Sequence, residues 1–197
     1  MSAMGYLTYN KKQLENLDLA LNAEHLQVNH LGAFVASTIL FCNTRKYHGL
    51  LNVPLEEIDG GYHVLLSALD ETIIDQEREY HLGVHKYPGV MSAGHEYITQ
   101  YTNNPVPTVY YKAGGLKLKK EVLLLEQENK VMVRYTTEEM QKPVTMRLHP
   151  FLAFRNVHAI SKANFDANTD LTTVKNGIAT RLYRPYPDLN MQLSRKN

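Results

Sequence analysis

The feature that most constrains this chain is a recurrence of short runs in which apolar and polar residues alternate, each ended by turn residues. Leu116 and Leu118 alternate with Lys117 and Lys119, and Val131, Val133 and Tyr135 with Met132, Arg134 and Thr136. Val144, Met146 and Leu148 do the same with Thr145, Arg147 and His149. A period of two puts one set of side chains on each face of an extended strand. Ala113-Gly114-Gly115, Glu128-Asn129-Lys130 and Asn176-Gly177 separate such runs by only a few residues, which joins neighbours as antiparallel hairpins. Further strands are expected over Tyr62–Leu69 after the Asp59-Gly60-Gly61 turn, and over Glu96–Tyr101 and Thr108–Lys112 around the Asn103–Pro107 loop. The same holds for Leu171–Val174, Ile178–Tyr183 and Leu189–Leu193. One polar face per strand calls for sheets packed on one side. The expected fold is therefore all-β, a large antiparallel β-sandwich of about ten or more strands.

Helical spacing is confined to Lys11–Leu17, where Asn10 and Gln13 stand as in a capping box. Alternation through Leu17, Leu19 and Leu21 is expected to follow. After Lys119 the phase loosens through Val122–Leu125, and Lys86–His95 and Phe154–Asp170 read as long loops. The 197 residues suit a single domain, 1–197, which at this size hides about 70% of its unfolded surface without a staple. With 21 Lys+Arg against 20 Asp+Glu there is no electrostatic case for a nucleic-acid or membrane partner. Met1–Gln13 carries no secretion pattern, and a cytoplasmic location is expected. Cys42 is the single cysteine, which excludes an internal disulfide; its apolar surroundings suggest inert packing.

The densest polar constellation is Asn43-Thr44-Arg45-Lys46-Tyr47-His48-Gly49. An Arg fork, a Tyr ring with its hydroxyl and a His donor–acceptor pair suit a ligand rich in hydroxyls, such as a sugar. Equally, Arg45 can pair with a carboxylate and organise the sandwich. Asp70 and Glu71 end the Tyr62–Leu69 run, point to opposite faces, and offer the economical partner for Arg45. Arg155-Asn156-Val157-His158 opens the second long loop, either lining a rim or capping the loop. His48, His149 and His158 read as polar lining of one surface. His81 and His85 have a usable metal spacing, but Gly83 between them and extended surroundings argue against a metal site, and no cofactor is expected. No Gly-rich phosphate loop or nucleophile elbow is present, and no His–carboxylate pairing stands out.

Glu24-His-Leu-Gln-Val-Asn29-His-Leu-Gly32-Ala-Phe-Val-Ala-Ser-Thr38 and Asn43-Thr-Arg-Lys-Tyr-His-Gly-Leu-Leu51, then Leu66-Ser-Ala-Leu-Asp-Glu-Thr72, Asn104-Pro-Val-Pro107 and Leu148-His-Pro-Phe-Leu-Ala-Phe-Arg155-Asn-Val-His158, resemble the N-terminal domain of bacterial and archaeal glycogen debranching enzymes, the amylo-α-1,6-glucosidase family. The resemblance implies a β-sandwich of the supersandwich, galactose-mutarotase-like type, followed in family members by an (α/α)6 toroid. That toroid carries the carboxylates that hydrolyse α-1,6-linked glucose at branch points. No segment here matches those carboxylates. The chain is thus expected to be a non-catalytic accessory domain, the N-terminal part of a longer enzyme, that packs on the toroid and shapes the glucan cleft. Thr44, Arg45, Tyr47, His48, Asp70, Glu71, Arg155 and His158 would be its substrate-contact or interface residues. Its partners would be an α-glucan (glycogen or limit dextrin) and the toroid of the same polypeptide. Self-association through an uncovered face is also expected. The rival expectations are an independent α-glucan-binding module and a small mutarotase-like sugar enzyme.

Overall fold

A computed structural model describes residues 7–76, 78–162 and 164–194. The described chain opens with β1 (Thr8–Asn10), α1 (Lys11–Leu14) and α2 (Leu17–Asn22). It continues through β2 (Glu24–Val28), β3 (Phe34–Thr38), β4 (Gly49–Pro54) and the long β5 (Tyr62–Asp75). Next come β6 (Arg78–His81), the small hairpin of β7 (Lys86–Tyr87) and β8 (Val90–Met91), and a 3-10 turn over Ala93–Tyr97. Four longer strands follow, β9 (Ile98–Asn103), β10 (Pro107–Ala113), β11 (Leu116–Leu124) and β12 (Val131–Met140). Last are β13 (Thr145–Asn156), β14 (Thr172–Val174), β15 (Gly177–Thr180) and β16 (Leu189–Gln192). A sheet ordered β1-β9-β10-β11-β12 packs on one ordered β13-β5-β4-β3-β2, with β6 added to β5. β14-β15-β16 make a third, small sheet. These are the antiparallel layers that the alternation predicts. No described helix is long and apolar enough to cross a membrane.

Three local expectations are corrected. The capping box at Asn10 and Gln13 forms, but Leu17–Asn22 is a second helix rather than an alternating stretch. The Asn16 side chain accepts from the Leu19 N–H, and Leu17, Ala20 and Leu21 share the core-facing side at helical spacing. β5 does not end before Asp70 and Glu71; it runs on to Asp75, because β13 pairs with it from His63 to Ile74. Lys86–His95 is not irregular: the β7–β8 hairpin and the 3-10 turn occupy it.

The loosened phase in β11 has a physical reason. Leu116, Leu118, Lys120, Val122 and Leu124 form one continuous inward row, and its central member is a lysine. Lys120 Nζ lies 2.7 Å from Glu71 Oε1, and both side chains are almost fully buried. Tyr135, directly across from Lys120 on β12, donates its hydroxyl to the same carboxylate. Lys120 also sits 4.9 Å over the Phe41 ring and donates to the Leu69 carbonyl. This polar group separates two apolar clusters. Leu116, Leu118, Val109, Tyr111 and Ile73 belong to one, and Val122, Leu124, Leu51, Leu65 and Leu66 to the other. Phe41 touches both.

Removing one member of a buried pair strands the other charge, at a cost of about 3–5 kcal/mol. Lys120→Met is therefore expected to lower unfolding free energy by about that amount, whereas Lys120→Met with Glu71→Leu restores most of it. Urea denaturation of both variants checks the difference. His25 gives a second test. Its ring lies 4.7 Å from Phe41 and 6.1 Å from Tyr101, with no partner for either nitrogen among the described residues. Burial, aided by the nearby His48 and Lys120, pushes its pKa down to about 4. The unfolded chain takes up that proton near pH 6.5 and the folded chain does not, so stability falls as pH drops from about 6.5 to about 4. The expected loss is on the order of 3 kcal/mol, and His25→Leu flattens this part of the stability–pH curve.

Candidate functional site

The Asn43–Gly49 stretch leaves the sheet between β3 and β4 and meets the segment just past β13. Arg155 Nη2 donates to the Lys46 carbonyl at 2.8 Å, and Nη1 to that of Ala159 at 2.9 Å. Lys46 Nζ donates back to the His158 carbonyl at 3.3 Å. The Tyr47 hydroxyl lies 3.0 Å from His158 Nδ1, their rings nearly perpendicular and 5.5 Å apart. A bulge in β13 aims Arg155 at this meeting point: Leu152 pairs with Leu66 but Arg155 with Val64, so β13 carries an extra residue. Phe154 absorbs it with φ of 44°, a costly conformation for a bulky residue, while its ring is buried against Tyr186. Tyr47 is about half exposed, so the assembled rim presents an aromatic edge among polar groups.

His48 and Arg45 turn elsewhere. The Thr44 N–H donates to His48 Nδ1 at 3.0 Å, which leaves the ring proton on Nε2. That nitrogen lies 3.4 Å from Glu24 Oε1, without the alignment of a hydrogen bond. Burial holds His48 below its ordinary pKa although Glu24 pulls the other way. Arg45 Nε approaches the same Glu24 oxygen at 2.5 Å. The partner of Arg45 is thus Glu24 at the start of β2, not Asp70 or Glu71, which stand mid-strand in β5. His48, His149 and His158 do not line one surface either: His48 is buried, and His149 stands across from Asp70. Cys42 is fully buried, and burial pushes its thiol up, away from thiolate chemistry.

Asp70 and Glu71 face opposite sides, as alternation requires. Glu71 points inward to Lys120, while Asp70 accepts from His85 Nε2 at 2.6 Å. The chain can cross over Asp70 only because residue 83 is glycine; a Cβ there would lie 2.2 Å from Asp70 Oδ2. Ser92 ties the stretch down, its Oγ accepting from the His85 N–H and donating to the Gly83 carbonyl, both at 2.8 Å. His81 turns to Thr72 Oγ1 at 3.1 Å, so His81 and His85 are not a shared ligand set. Three further His–carboxylate contacts accompany His85–Asp70 among the described residues, namely His48–Glu24, His63–Asp59 and the long, exposed His81–Glu79, contrary to the expectation that none stands out.

Between the start of β4 and the end of β6, residues Ser67–Glu71 of β5 have no described strand on that edge. Carbonyls along it are taken instead by Asn43 Nδ2 at Ser67, Lys120 Nζ at Leu69 and the Leu82 N–H at Glu71. The gap is a cavity of about 20 Å³ lined by Asn43, Ser67, Asp70, Gly83 and, at its floor, Glu71 and Lys120. That is room for about one water, not for a sugar. A broad open concavity of about 580 Å³ lies beside the third sheet, lined by the exposed Asp166, Asn168 and Asp170 with Arg181, Tyr183 and Arg184.

A family model for the N-terminal region of glycogen debranching enzymes matches residues 23–197. The chain belongs to that family. No curated protein and no solved structure matches it. The match takes in every element from β2 onward, so both the Tyr47–His158 rim and the Asp70–His85 pair lie inside the debranching-enzyme region. Reading the sequence missed Glu24, Lys120 and Tyr135; it weighed His85 only as a metal ligand and gave Lys46 no role of its own within the polar stretch. Only Lys120 left a signal, as the charged residue at which an alternating row lost its phase.

The Asp70–His85 pair has a pH signature. The hydrogen bond from Asp70 raises the pKa of His85 above its ordinary value. Stabilisation from the pair is complete below about pH 6.5 and fades as pH climbs through the raised folded value. Asp70→Asn is expected to shift the His85 titration downward and to destabilise by on the order of 1 kcal/mol. That loss should be larger at pH 5.5 than at pH 8.5. NMR titration of the imidazole and urea midpoints at the two pH values check it.

Proposed function

We propose that this debranching-enzyme N-terminal domain is non-catalytic and contributes a glucan-facing rim to an enzyme whose hydrolytic carboxylates lie in an (α/α)6 toroid. The observation that carries this reading is the junction of Asn43–Gly49 with Arg155–Ala159. Arg155 and Lys46 use backbone carbonyls to lock two distant segments together, which leaves the Tyr47 ring and the His158 imidazole as the outward groups. An aromatic face beside fixed polar groups suits a glucosyl unit, with C–H bonds on the ring and hydroxyls on the imidazole. Arg45 and Glu24, the former exposed, extend the polar surface next to it. Asp70 and Glu71 support a non-catalytic role. A glycosidase needs two carboxyl groups roughly 5–10 Å apart across a cleft, and these two point to opposite faces of one strand, each held by a cation or imidazole.

The purified chain incubated with a phosphorylase limit dextrin is expected to release no glucose above a boiled control. In glycogen-containing native gels it is expected to migrate more slowly, with the retardation reduced in Tyr47→Ala. Protein-dependent glucose release that survives repurification overturns the non-catalytic assignment. Unretarded migration of the wild-type chain overturns the glucan-facing rim.

A further inference from the structure

We propose that His85 and Asp70, flanked by the rings of Tyr87 and Phe151, form a second carbohydrate subsite that takes one pyranose ring of an α-glucan. This rests on the glucan reading above but uses a different set of residues. His85 is the centre of a three-ring row. Tyr87 stands nearly parallel to it, its centroid 6.0 Å away, and Phe151 lies 5.1 Å off on a tilted plane. Tyr87 is 58% exposed and Phe151 42%. Rings that merely close a core do not leave so much of themselves in water.

The polar members are fixed by the fold. Asp70 holds His85 by one carboxylate oxygen, and its other oxygen takes no hydrogen bond from any described residue. His85 Nδ1 is likewise without a described partner. A carboxylate oxygen and an imidazole nitrogen side by side match a pair of neighbouring hydroxyls. Phe151 sits directly across from Ala68, so a methyl group, not a bulky side chain, flanks its ring on β5. His149, two residues before Phe151 and directly across from Asp70, adds an exposed imidazole on the same face.

The arrangement favours a neutral polyol over other ligands. A carboxylate at the centre repels phosphate. A purely apolar guest would leave the Asp70 oxygen desolvated and unpaired. A pyranose offers an apolar face of C–H bonds for the rings and a rim of hydroxyls for Asp70 and His85. Asn43 and Asp70 line the same small cavity, so this subsite adjoins the Asn43–Gly49 stretch. One glucan could then run from the Tyr47 rim to Tyr87.

Titration of the full chain with maltoheptaose, followed through histidine and aromatic NMR resonances, tests this. His85 and Tyr87 signals are expected to move saturably, and Tyr87→Ala and Phe151→Ala should each weaken binding about ten-fold. The unchanged signals of buried His25 and His48 serve as the check on folding. The proposal is overturned if both variants bind as the wild type does, or if no His85 or Tyr87 signal moves. A loss of affinity in Tyr47→Ala alone would then leave the rim reading standing without this subsite. A loss confined to Tyr87→Ala and Phe151→Ala supports the subsite even where the Tyr47 rim fails.

Discussion

The ion pair between Lys120 and Glu71 is the constraint around which the sandwich is arranged. It occupies the one position on β11 where an inward apolar residue would otherwise join the two clusters, and β5 contributes its carboxylate from the facing sheet. Burying two charges is expensive, and only close geometry with further hydrogen bonds makes up for it. Tyr135 supplies one such bond to Glu71, and the Leu69 carbonyl occupies another donor of Lys120. Burial pushes the Tyr135 hydroxyl far above its ordinary pKa, so it stays a neutral donor beside the carboxylate. Register follows from this arrangement. A slip of β11 by one residue would turn Lys120 outward and bring Lys119 or Glu121 into the core, away from any partner.

The outer surface is organised by irregularities in those same strands. The β13 bulge at Phe154 sends Arg155 to the Asn43–Gly49 stretch, and the missing strand beside Ser67–Glu71 leaves Asp70 to be covered by Gly83 and His85. Bulges and gaps in a ladder interrupt pairing and re-aim side chains. Both groups of residues read here as glucan-facing lie where a regular ladder gives way. A sheet without such interruptions would have hidden Arg155 or turned it to open solvent.

Much of the fold was legible because alternation is a local property. The runs at Leu116, Val131 and Val144 appear as strands, the first two joined as a hairpin at Glu128–Lys130, and the Asn10–Gln13 capping box forms as spaced. The signal failed where tertiary contacts override spacing. Leu17–Asn22 contains both a period-two and a helical pattern, and packing of Ala20 and Leu21 into the core selects the helix. For the site, the Asn43–Gly49 and Arg155–His158 segments were visible as dense polar stretches, yet nothing in the sequence shows that they touch. Pairings such as Arg45 with Glu24 or Asp70 with His85 depend on which strands neighbour one another, and composition carries no trace of that. A polar residue that interrupts an inward row is the exception, since the interruption itself is written in the sequence.

Both β5 and β11 pass from one apolar cluster into the other, with the inward-facing Glu71 and Lys120 at the crossing. β12 and β13 span the two clusters as well, with Tyr135 and Met146 against one and Val133 and Phe154 against the other, so the two packed regions share continuous strands around a polar waist. Because the β5–β13 and β11–β12 ladders run through both regions, opening one strains backbone pairing that the other shares. A partner pressing on one end of the sandwich would be felt at the other through those shared strands.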